Sequence, residues 1–204
     1  MDFQRDLNII KQQLEEFKNA GYNRICIPGG TSKDGDHYSG AVIPYWDVIT
    51  KLLWIVGVPY DSQYYKTNDE NGHTKKSGEH PIETVIREVT EETALSIDPR
   101  DLVKLDCSFS IPDNRVKVTE NKMHAKNFYL AEKFSGNLFN FNGPKPNPID
   151  GETSSPIMLP ASMFLKVVFH PHQKAAKEAI RRLIKSSEEL APYKDYYTAM
   201  VNMC

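Results

Sequence analysis

Cysteine is scarce in this chain: Cys26, Cys107 and Cys204 are the only three, and no two of them stand in a C-x-x-C spacing. Neither a disulfide framework nor a zinc cluster is indicated, and reduced thiols are expected. Long hydrophobic runs are missing too. The most apolar stretch, LLWIVGV at 52–58, is far shorter than the roughly 20 residues of a membrane-spanning helix. The N-terminal MDFQRDLNIIKQQLEEFKNAG has early acids and no uninterrupted apolar core, unlike a secretory signal, so a cytoplasmic protein without membrane contact is expected. There is no surplus of positive charge, since 25 Lys and Arg face 27 Asp and Glu. A nucleic-acid polymer, which needs a basic stripe, is therefore a poor partner. A GxxxxGK[ST] phosphate loop is absent as well, which disfavours kinase-like or GTPase-like chemistry.

What is present fits one globular domain: 204 residues, 40% of them hydrophobic, enough for a sizeable core. Phe3, Leu7, Ile10, Leu14 and Phe17 fall at helical spacing, predicting an amphipathic helix over 2–20 that Gly21 ends. Its stripe is expected to pack on the parent domain, with a subunit contact, and hence a homodimer, as the alternative. NRICIP at 23–28 predicts a short strand, followed by loop to Gly40 with Pro28-Gly29-Gly30 as a plain turn. GAVIPYWDVI and KLLWIVGVPY predict a hairpin, 61–76 an exposed loop, and 101–111 and 124–134 two further strands. PIMLPASMFLKVVF predicts a short strand and a short helix, and 173–187 an amphipathic helix, at whose start the histidines of HPH, 170–172, would help to cap it. Strands interspersed with helices predict a layered α/β domain of the α+β type. Residues 1–22 form a helical extension in this reading, 23–190 the functional domain and 191–204 a C-terminal tail.

The chemistry concentrates in GEHPIETVIREVTEET, residues 78–93, which carries five glutamates and one arginine. Pro81 suits a first helical turn. Ile82, Val85, Ile86 and Val89 then share the face that would bury on a sheet, while Glu88, Glu91 and Glu92 share another at i, i+3, i+4. Like charges at that spacing cost a few tenths of a kcal/mol per pair, and the C-terminal end of a helix disfavours anions besides. A glutamate-rich face is ordinarily just solvated surface. Here one arginine cannot neutralise three neighbours, whereas a divalent cation could, and oxygen donors without Cys or His select Mg²⁺, Mn²⁺ or Ca²⁺.

The order of these residues resembles the Nudix box of the Nudix hydrolase superfamily: Glu79, seven residues, Arg87-Glu88-Val89, one residue, Glu91-Glu92, one residue, then Ala94-Leu95. His73 stands where the box opens on glycine, and Ala94 where it has its late glycine. The resemblance implies an α/β/α sandwich with a mixed sheet. It implies metal-dependent hydrolysis of the diphosphate in a nucleoside diphosphate linked to another moiety, with a nucleotide-like small molecule as substrate and Mg²⁺ or Mn²⁺ as cofactor. Glu88, Glu91 and Glu92 would be metal ligands, with Glu91 and Glu92 the most needed for turnover and Glu79 and Arg87 supporting them. Glu152 is the candidate for an additional acid from a late loop, with Glu120 as competitor. Lys75 and Lys76 could meet phosphate oxygens, and Tyr45, Trp46, Tyr60, Tyr64 and Tyr65 are candidates to stack on a base. A module that binds a nucleotide without cleaving it is the alternative, kept open by His73 and Ala94.

Overall fold

The computed structural model describes residues 3–62, 78–112, 123–137, 143–147 and 153–203. The chain opens with helix α1 (Phe3–Asn19). Ile10 and Phe17 of its apolar stripe are buried and Leu14 packs beside them, so the helix covers the domain; the side chains of Phe3 and Leu7 lie outside the described ones. Strand β1 (Arg24–Cys26) follows, then β2 (Gly29–Thr31) and β3 (His37–Val42). The region expected as loop up to Gly40 is thus mostly strand. Its turn is confined to 32–36, closed by the Ser32 amide donating to His37 O (2.8 Å) and the Gly35 amide to Ser32 O (2.8 Å).

The predicted hairpin is β4 (Pro44–Asp47) and β5 (Leu52–Tyr60). Its turn is built by Asp47, whose carboxylate accepts the Ile49 amide (2.9 Å) and the Thr50 hydroxyl (2.6 Å), a local bond that aspartate favours at turns. Helix α2 (Pro81–Thr93) comes next, then β6 (Leu102–Lys104) and β7 (Phe109–Pro112). One strand was expected over 101–111. It is broken because Glu178 accepts the Asp106 and Cys107 amides (2.7 and 2.8 Å), which takes those two residues out of any ladder. Strand β8 (Met123–Ala131), β9 (Ile157–Pro160) and helices α3 (Ala161–Val167), α4 (His170–Ser186) and α5 (Lys194–Met203) complete the order. Residues set apart as a tail include α5, whose Tyr197 hydroxyl accepts the Leu53 amide at 2.8 Å.

Two sheets result, one antiparallel and one mixed. One sheet has β1 and β4 in tandem along one edge of β5 and β9 on the other; the second runs β2-β3-β8-β6, with β7 also on β8. Among the described strands β3 and β8 pair in parallel, in register from His37 opposite Ala125 to Val42 opposite Leu130, and the other strand pairs are antiparallel. Val85 and Val89 of α2 bury against Ala41, Ile43, Val56 and Tyr129, while α1, α3, α4 and α5 share the larger core on the other side with Ile27, Ile55, Phe128 and Leu159. The architecture is an α/β/α sandwich with an N-terminal helix. No helix of the described residues is long and apolar enough to cross a membrane.

Helix α2 begins and ends where its residues dictate. Pro81 occupies the first position, the His80 imidazole accepts the Ile82 amide (3.3 Å), and Glu83 returns a bond to the His80 amide (2.9 Å), a reciprocal cap. The helix stops on Ala94 in the left-handed conformation, φ 56°. A non-glycine residue there costs about 1–2 kcal/mol, partly offset by the greater flexibility glycine would have in the unfolded chain. Ala94→Gly is therefore expected to raise unfolding free energy by about 0.5–1 kcal/mol in a urea titration; a loss of stability would show that the Ala94 methyl makes a contact worth more than the strain.

Candidate active site

Strand β2 runs beside the polar edge of α2, antiparallel to it, and meets the charged residues in turn. The Gly29 amide donates to Glu92 Oε2 at 2.7 Å. Gly30 lies against Glu88: a Cβ there would fall on the Glu88 carboxylate. Arg87 Nη2 donates to Thr31 O at 3.1 Å, and the Lys33 amide donates to Glu79 Oε2 at 2.9 Å. Of Pro28-Gly29-Gly30, expected as a plain turn, the two glycines instead belong to the strand that lines the glutamates. Both glycines are needed sterically, since a Cβ at Gly29 would meet the backbone of Ser39 and Gly40.

Arg87 is the hub. Its Nε and Nη2 grip Glu79 through both oxygens (2.9 and 3.1 Å), and Nη1 donates to Glu88 Oε1 (2.6 Å) and Glu91 Oε2 (3.1 Å). The side chains of Glu79, Glu88 and Glu91 are 8, 13 and 30% exposed, and Glu92 is 8% exposed. A solvated glutamate face is thereby excluded. Four carboxylates and one guanidinium leave these five side chains with a formal excess of three negative charges. Burial pushes the Glu79 carboxyl upward, but its Arg87 hydrogen bonds, the Lys33 amide and the Arg87 charge outweigh that and hold it at about 2. Burial alone would lower the Arg87 guanidinium; Glu79 and Glu88 raise it above its usual range.

The donor chemistry of Glu88, Glu91 and Glu92 fits a hard divalent cation, because each offers carboxylate oxygens. Among the described residues, no three His, Cys, Asp or Glu groups converge into a ready metal cage. A cation at Glu88, Glu91 and Glu92 would therefore complete its shell from water and phosphate, as Mg²⁺ usually does.

Glu92 borders two hollows. One, about 460 Å³, is lined by Glu91, Ala94, Lys145, Asn147 and Ser154 among others; there the Asn147 amide group donates to Glu91 O (3.2 Å) and Thr153 Oγ1 (3.1 Å), docking 143–147 against the end of α2. The other, about 540 Å³, has Gly29, Gly30 and Glu92 in its lining together with Arg24, Tyr38, Tyr60, Phe109, Lys126 and Phe169. Of the aromatic candidates, Tyr60 is at this cavity. Tyr45 packs against the α2 core, and Trp46 meets Tyr193 at a tilt and Tyr197 edge-on (5.3 and 6.5 Å between centroids). His172 does not cap α4, which starts on Phe169 without a side-chain bond. It is buried, its Nδ1 accepts the Ile27 amide (3.3 Å), and burial drives its pKa down to about 3, so the ring is neutral. His73, Lys75, Lys76, Tyr64, Tyr65, Glu120 and Glu152 lie outside the described residues.

The Glu79 carboxyl titrates below its ordinary value of 4.5, so its contribution is complete above pH about 5 and is lost as pH falls toward 2. That contribution is on the order of 3 kcal/mol at most. Urea unfolding at pH 5.5 and pH 3 is expected to show a larger acid loss for the wild-type chain than for Glu79→Gln; equal losses would mean that the Arg87 pair does not stabilise the fold.

No protein-family model matches this chain, and no curated protein does. Solved structures do. The NUDIX domain of Shewanella oneidensis NrtR, complexed with ADP ribose, is 16% identical over 70% of this chain and 84% of that one, TM-score 0.44. A MutT/nudix family protein from Enterococcus faecalis is 16% identical over 72% of this chain and 61% of its own, TM-score 0.39. A candidate NUDIX hydrolase from Listeria monocytogenes str. 4b F2365 is 15% identical over 71% and 92%, TM-score 0.45.

Proposed function

We propose that this chain is a Nudix-type pyrophosphohydrolase that uses Mg²⁺ or Mn²⁺ to cleave the diphosphate bond in a nucleoside diphosphate linked to another moiety. One observation carries the reading: Glu79, Arg87, Glu88, Glu91 and Glu92 are gathered at the edge of β2, three of the four carboxylates on one guanidinium and the fourth on a glycine amide. A cation held by Glu88, Glu91 and Glu92 would neutralise phosphate oxygens and lower the pKa of an attacking water.

The protein's own part is positioning. Arg87 fixes the direction of the Glu88 and Glu91 carboxylates by charge-assisted bonds, and Glu79 in turn fixes Arg87 through two parallel bonds. The Gly29 amide holds one Glu92 oxygen. The absence of side chains at Gly29 and Gly30 makes room for the Ser39–Gly40 backbone and for the Glu88 carboxylate, so that β2 lies directly against the cluster. A carboxylate must also accept the proton of the attacking water. Glu91, Glu92 and Glu152 are the candidates, and Thr153, next to Glu152 in sequence, lines the larger cavity.

Incubating the protein with a panel of nucleoside diphosphate derivatives and Mg²⁺ is expected to release a nucleoside monophosphate or phosphate. Glu92→Gln keeps an acceptor for the Gly29 amide, so it should fold normally and lose about 100-fold or more in kcat. Gly30→Ala should displace the Glu88 carboxylate and lose about tenfold or more. Equal rates for the wild type and Glu92→Gln on every compound would refute the reading. Tight binding of a ligand recovered intact after long incubation with metal would make the chain a nucleotide-binding module instead.

A further inference from the structure

A buried polar pair interrupts the mostly apolar contact between β3 and α2. By alternation along β3, His37 shares the side of Ala41, which packs with Val85 and Val89 of the helix. His37 is 7% exposed and Thr84 of α2 is fully buried. The two meet through His37 Nε2 and Thr84 Oγ1, 3.0 Å apart. Valine would fill the space of Thr84 without needing any partner.

Glu79 gives the hydroxyl a use. A carboxylate offers about four acceptor positions, and three at Glu79 are taken, two by Arg87 Nε and Nη2 and one by the Lys33 amide. Burial raises the Glu79 carboxyl, and the Thr84 hydroxyl joins Arg87 and the Lys33 amide in bringing it down. Which way the Thr84 hydrogen points then depends on His37. Burial, with a smaller push from His80, lowers the His37 pKa against the charges of Asp34, Glu79 and Asp36, so near neutral pH the ring carries a single proton. With that proton on Nδ1, Thr84 must give its hydrogen to His37 Nε2, and Glu79 receives none. With it on Nε2, His37 donates to Thr84 Oγ1 and leaves the hydroxyl hydrogen for Glu79. An ionised carboxylate is the stronger acceptor, which favours the second arrangement.

We propose that His37 and Thr84 are positioning residues of the carboxylate cluster: His37 Nε2–H donates to Thr84, the Thr84 hydroxyl donates to Glu79, and Glu79 so fixed orients Arg87 and, through it, Glu88 and Glu91. The inference rests on that cluster being a cation site, but its test does not require hydrolysis. In the full chain, long-range proton–nitrogen NMR of the His37 ring is expected to show the neutral Nε2–H form; the Nδ1–H form would overturn the proposal. Titration of the ¹³C-labelled Glu79 carboxyl is expected to move toward its ordinary 4.5 in Thr84→Val and to keep the wild-type midpoint in Thr84→Ser; a wild-type midpoint in Thr84→Val would also overturn it. Mn²⁺ alone is then titrated into each variant and its free signal followed by electron paramagnetic resonance. His37→Leu and Thr84→Val should each bind Mn²⁺ about tenfold more weakly, while His37→Gln and Thr84→Ser, which keep a donor in each place, should stay within about threefold of wild type. Thermal melts establish that all four variants are folded at the assay temperature. Equal losses in His37→Leu and His37→Gln, or none in His37→Leu and Thr84→Val, would reduce the pair to packing and contradict the proposal. A wild-type chain that binds no Mn²⁺ would remove the cation reading alone, and the ring tautomer and the Glu79 titration would still uphold or overturn the hydrogen-bond chain.

Discussion

A single guanidinium, Arg87, is shared by Glu79, Glu88, Glu91 and the Thr31 carbonyl, and the geometry of the site depends on it. Carboxylates packed along one helical edge repel each other, and burial would ordinarily force some of them to take up protons. Arg87 offsets that with bonds in fixed directions, as a planar fork can and an ammonium cannot. Removing it would leave partly buried anions without their main counter-charge, which is far costlier than the net worth of the pair suggests. The cluster still carries excess negative charge, and that excess is what makes a bound cation chemically reasonable here.

The apolar half of α2 supplies the other constraint. Val85 and Val89 are fully buried against Ala41 and Tyr129, and that anchoring fixes the rotation of the helix about its own axis. With rotation fixed, residues 87, 88, 91 and 92 must fall beside β2. Alternation along the strands does the complementary work: Ala41 and Tyr129 point to α2, while Tyr38, Lys126 and Phe128, of opposite parity, face the cavity. One sheet thus carries the helix on one side and the larger cavity on the other, and Glu92 reaches the boundary between them.

Much of this was legible in the sequence because it is local. The start of α2 at Pro81, its run to about Thr93 and its buried valines follow from a first-turn proline and an apolar period, whereas the His80 cap and the left-handed stop at Ala94 emerge with the structure. The β4–β5 hairpin follows from two apolar strands and a short polar turn. What could not be read depends on pairing between distant residues. Gly29-Gly30 looks like any turn until Gly29 is seen opposite Gly40 and bonded to Glu92. The break at Asp106-Cys107 requires Glu178, some seventy positions later in the chain. Arg24, Phe109, Lys126 and Phe169 have no common motif, and only sheet register and the entry to α4 bring them to one cavity. His172 misled for the same reason: its partner, the Ile27 amide, lies in the first strands of the chain.

The central claim is that these glutamates hold a divalent cation together with a diphosphate. It is tested most directly by electron paramagnetic resonance of Mn²⁺ titrated into the full chain with a nucleotide whose diphosphate bridge is a non-hydrolysable methylene. The account predicts that the signal of free Mn²⁺ is suppressed to saturation by the wild-type protein, and that the Glu91→Gln, Glu92→Gln double variant leaves it where the nucleotide alone does. Identical free Mn²⁺ with the wild type, the variant and the nucleotide alone would contradict it.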